Sequence, residues 1–274
     1  MNLILTGYIS PNSPDDWRYE RIEPPLVHQQ TTYLIVGGST GLGRALAERF
    51  ARAGHALLLV SSDVRDTRAV AADLTLRYHV PVLPLLLDLA VPAVDFQSLD
   101  AALSGLPPLA GILLAAGMNS PDDQPGQPPE ALDALTSTNH TTICKIVDHY
   151  LPRLRAASCG LIVGFGSVAA TRGRTQNAAY GAAKRALACY FESLRHSLSQ
   201  SKITVQFYVL GYLDTNLAFA QRLPLPRATP RQLAERVYRR RLRNFGVSYY
   251  PAFWYPICFV VRALPWFAYR RLSF

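Results

Sequence analysis

Tyr180 and Lys184 lie four residues apart in the run AYGAAKRALACYFESL. Strong helix formers fill this run, and an apolar stripe follows Ala183, Leu187, Tyr190, Phe191 and Leu194. On a helix, positions i and i+4 share one face, one turn apart. The phenol and the ammonium therefore point into the same space. A tyrosine ionises with a pKa of about 10, and an adjacent cation lowers that value. A phenol tuned in this way exchanges a proton with a substrate oxygen near neutral pH. Ser167, thirteen residues before Tyr180, follows the apolar run GLIVGF. That run predicts a buried strand, which sets the Ser167 hydroxyl at its carboxyl end, within reach of the same oxygen.

Groups this far apart need a scaffold, and the rest of the chain supplies a repeating one. Of its 274 residues, 49% are hydrophobic and 17% charged, enough apolar material for an ample core. Tyr33–Val36 predicts a short strand that runs into GGSTGLG, residues 37–43, and then into a helix ending at Gly54. Strand, glycine turn and helix open a dinucleotide-binding unit. Glycines at 37, 41 and 43 let the backbone turn tightly and approach a pyrophosphate near the helix N-terminus. Ser39 and Thr40 add hydroxyl donors, and Leu42 starts the helix pattern. Further strands are predicted at 56–60, 82–87, 112–116, 161–166 and 203–209, with helices at about 66–78 and from about 130 to 155. Alternating strands and helices predict an α/β, Rossmann-type, doubly wound parallel sheet in a single domain, residues 31–219. Ligands then bind outside the carboxyl ends of the strands, where Gly37–Gly43, Asp88, Gly117, Ser167 and Gly211 all fall.

A serine, a tyrosine thirteen residues later and a lysine four after that resemble the catalytic core of the short-chain dehydrogenase/reductase family. The resemblance covers about residues 31–215 and implies reversible hydride transfer between a nicotinamide and a carbonyl or alcohol carbon. It makes Tyr180 the acid and Ser167 the hydrogen-bonding partner of the substrate oxygen. Lys184 would tune Tyr180 and bind the nicotinamide ribose, and Asn139 would complete the tetrad. Asn139 would hold a local irregularity in its helix; a plain core hydrogen-bonding role is its alternative. His140 is expected to be a wall residue. Asp88 and Leu89 would meet the adenine, Ala116 and Gly117 the adenine ribose, and Thr215 the carboxamide. Asp88 as a helix cap and Thr215 as a turn residue remain open. The cofactor is NAD(H) or NADP(H). Ser62 stands where many NADP users carry arginine, which favours NAD(H). Three positions depart from the family pattern: Val36, Leu114 and Leu210. The first two fall on strands expected to be adjacent, where apolar packing would replace one polar link. No metal or flavin motif is present.

Substrate contacts are expected from Arg172, Arg174 and Gln176, between Ser167 and Tyr180. Guanidiniums there suit a phosphate, although a solvated loop would look the same. The tail is unusual. From Ala220 to Phe274 there are eleven arginines and one acid, Glu235. That net +10 exceeds the +9 of the whole chain. The segments expected are a basic helix and substrate-side loop at 220–246 and an aromatic tail at 247–274. Prolines 251, 256 and 265 and Arg262 make 247–269 a poor membrane-crossing helix. Its Trp and Tyr residues, flanked by arginine, suit peripheral contact with an anionic membrane surface. A homo-oligomer interface and a cover over the sheet are the alternatives. No nucleic-acid partner is expected, because the basic run abuts an apolar segment and not a groove-reading motif.

The loop S-V-A-x-x-R-G-R ahead of Y-G-A-A-K, together with this tail, resembles the reductase component of decaprenylphosphoryl-ribose 2-epimerase. That resemblance implies a keto group on a lipid-phosphate-linked sugar, reduced in bacterial cell-envelope synthesis at the cytoplasmic face of the membrane. A different apolar carbonyl and a non-catalytic cofactor-binding scaffold are the other readings. Residues 1–30, with Pro11, Pro14, Pro24 and Pro25, predict an arm without its own core. Four dispersed cysteines form no C-x-x-C pair and are expected to be mostly buried, reduced thiols.

Overall fold

A computed structural model describes residues 30–157, 159–214 and 227–272. Seven strands form one parallel sheet: β1 (Thr32–Val36), β2 (Ala56–Ser61), β3 (Val82–Leu86), β4 (Leu109–Leu114), β5 (Gly160–Ser167), β6 (Ile203–Leu210) and β7 (Gly246–Tyr250). Their spatial order is β3-β2-β1-β4-β5-β6-β7. The expected doubly wound α/β architecture is what forms. Helices α1 (Gly41–Ala51) and α2 (Val64–Tyr78) pack on one face, joined there by α7 (Pro230–Arg239). Helices α3 (Phe96–Ser104), α5 (Thr142–Ala156) and α6 (Ala178–Ser197) cover the other. Side chains alternate along each strand, so Ile35, Leu57 and Leu59 join the first layer and Leu34, Val36 and Leu58 the second. Both faces are buried, which is why these strands read as continuous apolar runs.

Val36 and Leu114 are register partners across β1 and β4, both fully buried in one cluster. The two departures from the family pattern therefore meet as a single apolar contact, as their adjacency implied.

Other features differ from the sequence expectation. The helix expected from about 130 to 155 is α4 (Pro129–Thr136), a π-helical turn (Ser137–Thr141) and α5. Helix α3 carries no expectation at all. Strand β7 begins at Gly246, so the division expected at 246/247 falls inside the sheet. Beyond it, α8 (Trp254–Ala263) and the short α9 (Trp266–Tyr269) fold back over the carboxyl end of the sheet. Among the described residues no helix is long and apolar enough to cross a membrane. The cysteines are free, but Cys159 and Cys189 are exposed and only Cys258 is buried. The arm at 1–29 and Thr215 lie outside the described residues.

Candidate active site

The strand order reverses between β1 and β4, and the chain opens a cavity of about 730 Å³ at the carboxyl ends there. Its first wall is the glycine turn. Gly37 has φ +86°, and a Cβ on it would stand 2.6 Å from the Ala116 amide nitrogen. A Cβ on Gly43 would stand 1.8 Å from the Gly37 carbonyl oxygen. Only glycine lets β1, α1 and the end of β4 approach this closely. Thr40, the N-cap of α1, makes no side-chain capping bond, so the helix N-terminus is left open to a ligand. Thr40, Gly41 and Leu42 line the cavity with Gly37 and Ser39. This cradle fits a pyrophosphate by its open amides and its lack of side-chain bulk.

Ser62, Asp88, Leu89, Ala116 and Gly117 line the same cavity. The Ser39 and Ser61 hydroxyls share a hydrogen bond of 2.9 Å. Asp63 caps α2, its Oδ1 accepting from the Asp66 amide at 2.9 Å. Arg65 is 93% exposed beside Asp66. Asp88 Oδ1 accepts from the Ala90 amide at 2.9 Å, so it builds its own turn rather than capping a helix.

Ser167, Tyr180 and Lys184 converge on the middle of the cavity. Ser167 ends β5, and its Oγ accepts from the Ala169 amide at 3.1 Å. Lys184 is 4% exposed and donates to the Phe165 carbonyl at 3.2 Å. Its Nζ stands 5.9 Å from the centre of the Tyr180 ring. Asn139 is fully buried in the π-helical turn. Its amide nitrogen donates to Met118 O at 2.6 Å and Leu135 O at 2.9 Å, while its Oδ1 accepts from the Met118 amide at 3.2 Å. The extra residue of the π turn turns Asn139 inward. A methyl on Gly117 would stand 3.3 Å from Asn139 Oδ1 and 3.6 Å from Lys184 Nζ, so both groups meet at that glycine. His140, expected as a wall residue, is partly buried but does not line the cavity, and burial holds its pKa down.

The electrostatics correct one expectation. Burial raises the Tyr180 pKa above its ordinary value, while a hydrogen bond with Ser167 and the charge of Arg174 pull it down. Burial also lowers Lys184 to about 8. Desolvation is the largest influence on both groups, and the opposing pull on Tyr180 comes from Ser167 and Arg174.

Substrate-loop residues divide. Arg172 lines the cavity, but its guanidinium donates to the Val261 carbonyl at 3.1 Å and to Leu264 O, and stacks 4.0 Å over the Tyr269 ring. Tyr269 in turn donates to Gly173 O at 2.7 Å. Arg172 is thus a clamp on the end of α8. Gln176 is exposed and absent from the lining. Arg174 lines the cavity beside Tyr180, and its buried Nε has no hydrogen-bond partner among the described residues.

The far wall comes from the tail, for which a cover over the sheet was one of the alternatives, though the sequence assigned none of its residues to the cavity. Trp254, Ile257, Cys258, Val261 and Tyr269 close the cavity from α8 and α9. Trp254 lies against Gly211, where a Cβ would meet its Nε1 at 1.8 Å. No local signal could show this contact, since it joins the residue after β6 to a helix about forty residues later.

The arrangement can hold a dinucleotide along the strand ends and place two hydroxyls and an ammonium at a substrate oxygen. Comparison with known proteins agrees. The short chain dehydrogenase family matches residues 31–224. An uncharacterized oxidoreductase of Myxococcus xanthus is 29% identical, over 71% of this chain and 77% of its own. The 1-deoxy-11-beta-hydroxypentalenate dehydrogenase of Streptomyces exfoliatus is 30% identical, over 73% of this chain and 74% of its own. Among solved structures, a short-chain dehydrogenase from Sphingobium yanoikuyae in complex with NADPH superposes with a TM-score of 0.74. It is 28% identical, over 84% of this chain and 93% of its own. The chain belongs to the short-chain dehydrogenase/reductase family of NAD(P)-dependent oxidoreductases.

Proposed function

We propose that the chain reduces a keto group on a lipid-phosphate-linked sugar, as in cell-envelope polysaccharide synthesis. One observation carries this reading: α8 is apolar on both sides. Trp254, Ile257, Cys258 and Val261 face the cavity, while Tyr255, Phe259 and Val260 are 61%, 67% and 56% exposed. Trp266 and Phe267 on α9 extend the outer face, and Arg262, Arg270 and Arg271 are exposed around it. Contiguous apolar surface of this kind marks an interaction site. A basic rim suits anionic lipid, where each charge adds on the order of 1 kcal/mol. A membrane-anchored substrate would then meet the cavity through the wall that touches the membrane.

Tyr180 Oη gives a proton to the carbonyl oxygen, and Ser167 Oγ donates a hydrogen bond to the same atom. Lys184 and Asn139 lead the replacement proton to Tyr180. NADH or NADPH, when bound, supplies the hydride. Gly37, Ser39, Thr40, Gly41, Leu42 and Gly43 would hold its pyrophosphate. Asp88 and Leu89 would border the adenine, Ala116 and Gly117 the adenine ribose, and Tyr180 and Lys184 the nicotinamide ribose. Ser61, Ser62 and Asp63, which caps α2, offer no guanidinium for a 2′-phosphate, which favours NADH. Arg174, with no hydrogen-bond partner at its Nε among the described residues, takes the substrate phosphate.

The test is turnover, with NADH and with NADPH, on keto-sugars free and lipid-phosphate-linked and on steroid, retinoid and acyl ketones. The linked sugars are expected to exceed the free ones by at least ~tenfold in kcat/KM, about 1.4 kcal/mol of binding expressed in the transition state. Arg174→Ala should erase that margin. Fastest turnover of an uncharged apolar ketone would establish instead the second reading, which the apolar α8 wall also favours.

Membrane contact is tested separately by flotation with anionic liposomes. The full chain should float at low salt and less at high salt, as screening shortens the attraction. Phe259→Ser with Phe267→Ser should remove most of the binding. A full chain that stays at the bottom at low salt rules out membrane contact.

A further inference from the structure

Helix α6 begins without a cap of its own. Its N-cap residue, Asn177, is left-handed at φ 57°, and its side chain makes no capping bond. An ordinary N-cap is extended and offers a side-chain oxygen to the first-turn amides. Here those amides are met by a residue from the loop after β4. Asp123 Oδ1 accepts from the Ala179 amide at 2.8 Å, and Oδ2 accepts from the Tyr180 amide at 2.9 Å. The Asp123 carbonyl accepts from the Ala178 amide at 3.5 Å. Gln127 Nε2 donates to Oδ1 at 3.2 Å and fixes the carboxylate.

Asp123 is fully buried, and none of the salt bridges among the described residues involves it. A buried carboxylate without a cation is costly unless hydrogen bonds compensate it. Two amides and the positive end of the α6 dipole do so here. The same loop holds Asn139 through both polar groups of Met118. One loop therefore ties down both ends of the proposed proton path.

Tyr180 is the third residue of α6, in the turn that frays first when a helix lacks a cap. Lys184 is one turn deeper and has its own bond to Phe165. We propose that Asp123 is a positioning residue for proton transfer: it caps α6 from outside the helix and so fixes the Tyr180 hydroxyl at the reacting oxygen. This rests on Tyr180 being the proton donor.

The experiment is a double-mutant cycle with Tyr180→Phe, run with saturating cofactor and the fastest ketone of the panel above. Asp123→Ala alone should lower kcat at least tenfold and leave the cofactor KM within about twofold. Asp123→Asn keeps one acceptor oxygen and should fall between Ala and wild type. In the Tyr180→Phe background, either substitution should change the residual rate by less than twofold, because the group it positions is already absent. An equal loss in both backgrounds would show a general structural role and overturn the proposal. Unchanged kcat in Asp123→Ala would overturn it too. Should Asp123→Ala fail to fold, the cycle with Asp123→Asn separates the same two outcomes. High turnover in Tyr180→Phe alone would instead remove the underlying reading of the donor.

Discussion

Tyr180→Phe is expected to lower ketone reduction by at least about a hundredfold, the usual contribution of a positioned general acid. The substitution removes one oxygen and leaves the ring. The ring packs over Lys184 at 5.9 Å, so the wall of the cavity is kept. Stability should change little, because the hydroxyl's hydrogen bond with Ser167 is lost while its desolvation is relieved. Dinucleotide affinity, measured by fluorescence titration, should stay within a few-fold. The loss should appear in kcat and in kcat/KM alike, the mark of an interaction made in the transition state. A purified, folded variant that keeps more than about a tenth of the wild-type rate would exclude Tyr180 as the acid.

Gly43→Ala is expected to damage cofactor binding and stability together. The added methyl would lie 1.8 Å from Gly37 O and 2.6 Å from Gly37 C, both backbone atoms. Relief requires opening the turn between β1 and α1. Gly37 cannot yield toward β4, because it already approaches the Ala116 backbone too closely for any side chain. Overpacking of this kind costs about 1–3 kcal/mol, and here the strain falls on the pyrophosphate cradle. Dinucleotide affinity should drop by roughly ten- to a hundredfold, with a lower melting temperature. Gly105→Ala is the control. Its nearest neighbour would be Ala102 O at 3.7 Å, so binding and melting should hold. Equal behaviour of the two variants would show that the turn is not the dinucleotide cradle.

The sequence by itself determined the parts whose signals are local. The apolar runs at 33–36 and 56–60 became β1 and β2, and the run at 112–116 overlaps the end of β4. The i, i+4 spacing of Tyr180 and Lys184 put both on one face of α6 because a helix repeats every 3.6 residues. Val36 and Leu114 could be set on adjacent strands only through the family resemblance, and the register that pairs them came with the sheet. Tertiary structure decided what depends on residues far apart in the chain. Strand β7 is half exposed and carries a polar, aromatic sequence, so its place in the sheet comes from pairing with β6. Arg172 looked like a phosphate ligand until α8 returned to offer carbonyls 89 and 92 residues away. Asp123 carries no expectation from the sequence, and folding alone carries it to amides 56 and 57 residues on. Such contacts leave no period in the sequence, because their geometry exists only once the sheet has brought the loops at its carboxyl edge together.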